Sequence, residues 1–396
     1  MNTSDLIRQR WLDNDFYGST FSWHYTNPSE SFKATLGGSY HYYDGRHFGE
    51  VIWARFAGNS ERGHLYYDNN GIKKDGNLFT KINYKLGSKW DAYLDLQFRS
   101  VDYNFVGIDN QGNQFDQDAA LSFFNPKLGI QYRPSIDSRF YTSFAVANRE
   151  PNRNDYVGNT VDHRPKPEQL FDWEMGWSKN TSKAAFEVNA YYMYYLDQLV
   201  LNGQINDVGD LLRINVDKSY RLGLELTAGT NLTPNLSLHG NATISQNKII
   251  SFTEFLDDYD ADFNWIGQQE IKRDNIDLAF SPNLLGSMEL RYDLKQYNLS
   301  IALRGKYIGR RFLDNSSDQA NSLNSYFFSD WQLQYSLQGG WFKKLRINLQ
   351  ILNWLDHLYE SNGWSYRYVF DGQEQLLRGL YPQAGRQLML GLGIDF

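Results

Sequence analysis

Several clusters in this chain have residue types that could do chemistry. Asp172, Glu174, Glu187 and Glu225 recur in extended stretches with Arg221, Arg304, Lys306 and Arg346. Two facing carboxylates are what glycoside hydrolysis needs, one as proton donor and one as nucleophile or base. The competing reading is the wall of a polar interior carrying mixed charge, and the alternate-position spacing favours the wall. Asp258, Asp260 and Asp262 match positions 1, 3 and 5 of a calcium loop, but Phe263 stands where the turn needs glycine and Gln269 where a bidentate glutamate belongs. That stretch reads as a solvated acidic loop. The seven histidines show no pair at metal-ligand spacing, there is no cysteine, and Gly391-x-Gly393 lies in strand-like sequence rather than a phosphate loop. The chain therefore reads as no enzyme, with no cofactor and no metal. A different chemistry is offered by Tyr66, Tyr67, Trp265, Trp364, Tyr366, Arg367 and Tyr368, with His47 and Arg55 near the first pair. Aromatic faces and arginines together suit an anionic, ring-bearing ligand through stacking and charge. The alternative is that these side chains only pack their own loops.

The elements that must hold these residues read as β-strands. In Gln387–Phe396, Leu388, Leu390, Leu392, Ile394 and Phe396 share one parity, while Gln387, Met389, Gly391, Gly393 and Asp395 share the other. A strand sends alternate side chains to opposite faces, so this segment has one apolar and one small or polar face. Ending on an apolar strand with a terminal aromatic suits a membrane barrel, whose outward face meets lipid. The 25 Phe, 28 Tyr and 11 Trp are plentiful, yet no apolar run reaches the roughly 18 residues of a spanning helix. A barrel needs apolar residues only at alternate positions, and aromatics at its rims. The net charge of −7 argues against nucleic acid as a partner.

Alternation and turn signals predict about fifteen strands. Tight turns at Asn27-Pro-Ser-Glu, Gly87-Ser, Pro134-Ser-Ile-Asp, Asn180-Thr-Ser, Thr233-Pro-Asn, Lys295-Gln and Gly339-Gly-Trp-Phe-Lys alternate with long connections at 44–76, 105–117, 150–167, 198–215, 251–274, 313–324 and 358–386. Segregating short and long connections in this way is the up-and-down topology of a transmembrane barrel. The predicted strand 296–312 sets Tyr297, Leu299, Ile301, Leu303 and Tyr307 outward, with Ile301 near the membrane midplane, and Ser300, Ala302, Arg304 and Lys306 inward. A polar inner face implies a wet lumen, or one filled by something polar.

Several stretches resemble TonB-dependent outer-membrane receptors of the Bacteroidetes type. They are Asp44-Gly-Arg-His-Phe-Gly-Glu-Val-Ile-Trp-Ala-Arg55, Phe123-Phe-Asn-Pro-Lys-Leu-Gly129, Phe144-Ala-Val-Ala-Asn-Arg-Glu-Pro-Asn-Arg153, Lys166-Pro-Glu-Gln-Leu-Phe-Asp-Trp-Glu-Met-Gly-Trp177, Tyr307-Ile-Gly-Arg-Arg-Phe-Leu-Asp-Asn315, Asn353-Trp-Leu-Asp-His-Leu-Tyr-Glu-Ser-Asn-Gly363 and Tyr381-Pro-Gln-Ala-Gly-Arg386. The resemblance runs along the whole chain and contains no catalytic motif. It implies a 22-stranded barrel around a globular plug, of which residues 1–396 would be the C-terminal part. Since Met1–Trp11 has no apolar signal region, the plug, the first strands and the signal peptide are expected to be absent from this chain.

The expectation is thus an all-β, transmembrane, antiparallel up-and-down barrel in the outer membrane of a Gram-negative cell. It would serve TonB-dependent uptake of a scarce nutrient chelate, an iron–siderophore complex above all. Candidate ligand-binding residues are His47, Arg55, Tyr66, Tyr67, Trp364, Tyr366, Arg367 and Tyr368. Leu392, Ile394 and Phe396 are the candidate assembly signal for the barrel-assembly machinery. The other expected partners are membrane lipid, an extracellular small-molecule chelate, the absent plug and barrel portion, and the TonB complex acting through that portion. A passive porin and a soluble β-rich glycan-binding protein are the alternatives.

Overall fold

The computed structural model describes residues 4–56, 58, 61–109, 112, 114–157, 165–205 and 211–396. Nearly all of it is strand. In chain order the strands are β1 (Leu6–Thr26), β2 (Phe32–Ala54), β3 (His64–Leu86), β4 (Trp90–Ile108), β5 (Gln114–Ser135), β6 (Ser138–Arg149), β7 (Glu168–Asn180), β8 (Ala184–Ile205), β9 (Leu211–Thr233) and β10 (Leu236–Tyr259). They continue as β11 (Trp265–Asp277), β12 (Leu284–Leu294), β13 (Leu299–Ile308), the two-residue β14 (Arg311–Phe312) and β15 (Ser322–Leu323), β16 (Tyr326–Leu337), β17 (Lys344–Leu352), β18 (Glu360–Phe370), β19 (Gln373–Pro382) and β20 (Gln387–Asp395). One helix of five residues, α1 (Arg153–Val157), lies between β6 and β7.

The fifteen segments expected from alternation each overlap a strand. Of five further strands, β11, β15, β18 and β19 fall mostly in stretches expected to be loops, and β14 is the end of the expected strand 296–312, separated from β13. The expected loop 44–76 is also corrected: β2 and β3 run through most of it as one hairpin, paired from Val51 opposite His64 down to Phe32 opposite Tyr84. The reason is physical. Beyond the lipid band an outward position need not be apolar, so alternation fades at Asp44, Arg46, Asn70 and Lys74 while the backbone ladder continues. The expected loops 105–117, 150–167 and 198–215 lie partly outside the described residues.

The chain forms two compact units, Met1–Ile130 with Ala145–Gln169, and Gln131–Phe144 with Leu170–Phe396. In the first, β1, β2, β3 and β4 pair antiparallel in sequence order. Register aligns Trp23, Leu36, Thr80 and Leu96 in one row and Phe21, Gly38, Leu78 and Phe98 in another, which is the apolar face. Intervening rows hold Ser39, Asn77 and Arg99, then Tyr43, Lys73 and Tyr103, which is the polar face.

In the second unit, β10 pairs with β12, and β12, β13, β16, β17 and β20 follow antiparallel. Leu290, Leu303, Trp331, Ile351 and Leu388 align across all five strands, while Glu289, Arg304 and Asp330 align on the opposite face. The short turn before β13 is longer than expected. Lys295–Tyr297 forms a 3-10 turn closed by Asn298 at φ 50°, so Tyr297 belongs to the turn. That moves the middle of the spanning stretch from Ile301 to Leu303. On the polar face Tyr141 lies flat on Gly176 and Tyr191 on Gly223. A Cβ at these glycines would meet the rings at 2.2 and 2.4 Å, so only glycine allows the approach.

Candidate functional site

The first unit carries an open pocket of about 590 Å³ on its polar face, lined by Tyr43, His47, Gly71, Lys73, Arg99, Tyr103 and the segment Asn148–Arg153. That segment is built to turn inward. Pro151, fully buried, follows the end of β6 and has no N–H to extend a ladder. Asn152 then caps α1 reciprocally: the Asp155 amide donates to Asn152 Oδ1 at 3.0 Å and the Asn152 amide donates to Asp155 Oδ2 at 2.8 Å. Glu150 pins the segment to the wall, accepting from Lys73 Nζ and from Arg99 Nη2 at 3.2 Å, while Arg99 Nε also donates to Asp75 at 3.0 Å.

Arg153, the first residue of α1, reaches back into the pocket. Its guanidinium donates to Asn69 Oδ1, and among the described residues no carboxylate lies within ion-pair distance of it. Its Nε is buried without a hydrogen-bond partner. Burial holds this guanidinium below its ordinary pKa, with the hydroxyl ends of Tyr103, Tyr43 and Tyr67 acting the other way. His47, beyond the lipid band, has its pKa lowered by burial and then by the charge of Arg153. Burial likewise pushes the Tyr67 phenol up. The other cations lining the pocket are spoken for: Lys73 and Arg99 by Glu150, and Arg149 by Glu168 at 2.9 Å. The arrangement can offer an anion one partly desolvated guanidinium between tyrosine rings.

The second unit treats an arginine differently. In β18, Gly363, Ser365, Arg367 and Val369 are buried on one face while Trp364, Tyr366 and Tyr368 stand on the other. The Arg367 side chain is 7% exposed and meets Asp314 at 3.3 Å, as well as Asp318 and Glu374. Asn321, fully buried, donates to Asp314 and, at 3.0 Å, to Ser365 Oγ. This network fastens the β18–β19 hairpin to the 313–323 segment. On the other face Tyr366 donates to Asp257 at 2.8 Å, and Tyr368 and Phe370 pack against Phe263 with ring centroids 6.4 and 4.5 Å apart. Burial first, then hydrogen bonds to Tyr259 and Asp257, pushes the Tyr366 phenol up.

The structure therefore brings together only some of the residues singled out from sequence. His47 and Tyr67 share the surroundings of Arg153. Tyr66 packs edge-on against Tyr67 at 5.0 Å, with the Arg8 guanidinium 4.9 Å over its ring. Arg55 stands at the hairpin tip, 3.1 Å from Asp5. Trp364, Tyr366, Arg367 and Tyr368 belong to the hairpin of the second unit, with Arg367 inside a carboxylate cage. Leu392, Ile394 and Phe396 are exposed on the apolar face, with Leu392 opposite Ile347 and Ile394 opposite Leu345. In the acidic tip between β10 and β11, Asp260 accepts from the Asp262 and Asn264 amides at 2.9 and 2.8 Å. Hydrogen bonding from the Asn264 side chain is the first cause of its lowered pKa. Sequence reasoning missed Arg153, Glu150, Tyr43 and Tyr103. The one available signal was Arg149-Glu-Pro-Asn-Arg153, a charge-dense stretch with a helix cap just past a strand end.

Known structures carry the same fold. The ferric yersiniabactin uptake receptor FyuA from Yersinia pestis superposes with a TM-score of 0.67 at 16% identity, over 99% of this chain and 55% of that one. The copper transporter OprC gives 0.74 at 12% identity over 98% and 57%, and the unliganded ferric citrate transporter FecA 0.65 at 17% over 97% and 54%. The chain thus spans about half the length of the structures it matches. No curated protein sequence matches it. The family model described as "TonB dependent receptor-like, beta-barrel" matches residues 2–353. Twenty strands among the described residues, paired antiparallel apart from a short parallel stretch between β10 and β18, an apolar and a polar face in each unit, and a family match over most of its length agree: this chain belongs to the TonB-dependent receptor β-barrel family.

Proposed function

We propose that this barrel is the greater part of an outer-membrane receptor that takes up an anionic nutrient chelate, an iron–siderophore complex above all, in a TonB-dependent way. The observation that carries the reading is Arg153: an arginine drawn out of water, beside Tyr43, Tyr67, Tyr103 and His47, with no carboxylate among the described residues to neutralise it. Burying a cation without its counter-charge is costly unless something completes the site. An anion with ring surface supplies both the missing charge and the stacking partner. The named relatives add weight, since two of the three are uptake proteins for ferric chelates. Membrane lipid would cover the apolar face, and the barrel-assembly machinery would read the outward side of β20 at Leu392, Ile394 and Phe396. Coupling to the TonB complex belongs, on this reading, to the whole receptor.

The test is uptake of labelled ferric chelates by cells carrying the full-length receptor, with and without TonB. Uptake that needs TonB and falls on Arg153→Gln supports the proposal. Equal, unsaturable uptake in both backgrounds would make the barrel a passive channel.

A further inference from the structure

The outward face of the second unit is not uniformly flat. Phe144 of β6, Phe171 and Trp173 of β7, and Tyr192 and Tyr194 of β8 converge on a cup of about 500 Å³. Their side belongs to the apolar face: Tyr192 is opposite Leu222, and Ala190 and Val188 are opposite Leu224 and Leu226. The opposite parity carries the polar pairs, such as Arg139 with Glu187 at 3.6 Å and Tyr141 with Asn189 at 2.9 Å. The cup makes little polar demand on an occupant, because the Trp173 indole N–H already donates to Thr142 Oγ1 at 3.0 Å.

Its height narrows the occupant. Phe140, Trp177 and Phe186 form an aromatic row beside the short turns, with ring centroids 6.2 and 5.6 Å apart. The cup residues lie four to eight positions further along the same strands. At about 3.3 Å per residue and a tilt near 40°, that is roughly 10–20 Å above the row, so in a band about 25 Å tall the cup reaches from the middle of the membrane, at Phe144 and Trp173, into the half nearer the long hairpins, at Tyr194. One repeat above Tyr194 and Tyr220, Lys218 is paired with Leu196 in register and is exposed. An aromatic cup with an exposed cation one repeat further along the adjoining strand fits an amphiphile with acyl chains and an anionic head.

We propose that this cup and Lys218 form a binding site for lipid A, the anionic lipid of the outer leaflet, with an acyl chain in the cup and a phosphate at Lys218. The assignment rests on the outer-membrane reading given above. It is tested with the full chain in nanodiscs of phosphatidylcholine brominated on its acyl chains, which quench tryptophans that face lipid. Differences between wild type and Trp173→Phe, and between wild type and Trp331→Phe, isolate Trp173 in the cup and the outward Trp331 away from it. Adding a small fraction of lipid A should relieve the quenching of Trp173 and leave Trp331 quenched. Lys218→Glu should raise the lipid A needed by about fivefold or more, in line with the worth of one cation at an anionic surface, while heat-modifiable gel mobility shows an unchanged fold. Parallel recovery of both tryptophans would overturn the site, and equal protection by phosphatidylglycerol would overturn lipid A as its occupant. If neither tryptophan is quenched at the outset, the lipid-facing reading itself fails.

Discussion

Arg153 and Arg367 are both withdrawn from solvent, and they do opposite work. Arg367 has a carboxylate for every side of its guanidinium, with Asp314, Asp318 and Glu374 around it, and it joins a hairpin to the segment beneath. Arg153 has an amide oxygen and three tyrosines. The comparison teaches that burial of an arginine says nothing about ligand binding until its counter-charges are counted. A charge-compensated network is structure, and a buried cation with no counter-charge among the described residues, lining an open pocket, is a candidate site.

The largest effect should come from the satisfied arginine. Arg367→Ala leaves Asp314 buried without its partner, which costs about 3–5 kcal/mol. The β18–β19 hairpin should then lose its protection from protease while the rest of the barrel stays resistant. Arg153→Ala should leave hairpin protection and thermal stability within experimental error of wild type. If both substitutions destabilise equally, the distinction between the two arginines is broken.

A second test bears on the two faces of the unit that holds Arg367. Leu303→Lys puts a charge at mid-membrane on the apolar face and should cost about 2–4 kcal/mol in bilayer folding. Gln332→Lys, one row away on the polar face opposite Ala302, should cost little. Equal costs would mean that the apolar and polar faces of the second unit are wrongly assigned.

The smallest effect concerns pH. Burial and Arg153 keep the His47 pKa low, so the imidazole is neutral at pH 7. As pH falls through that lowered value, His47 gains charge and affinity for an anion should rise a few-fold. Titration of binding between pH 7 and pH 5 checks this, and His47→Gln should flatten the rise.

Much of this architecture was legible in the residues. Lipid forces period-2 apolar patterning, so Leu299, Leu303 and Leu333 revealed both strand and face. The long hairpins were not legible, because outside lipid nothing constrains the side chains of β2 past Asp44 or of β18 and β19. The pocket was half legible. Tyr67 and His47 stood out by type, but Arg153 enters only because Pro151 and the Asn152–Asp155 cap turn the chain inward. Arg367 shows the limit from the other side: in sequence it sits among aromatics like a ligand anchor, and its carboxylates come from residues 49, 53 and 7 positions away.

The most direct test of the account is equilibrium binding to the full-length receptor of two ferric chelates of similar size, one anionic and one neutral. Loss of one charged hydrogen-bonding group is worth about 1.5–3 kcal/mol, or about 10–100-fold in Kd. Arg153→Gln should weaken the anionic chelate by that factor and leave the neutral one unchanged. Unchanged affinity for both, or an equal loss for both, would contradict Arg153 as the charge that captures the ligand.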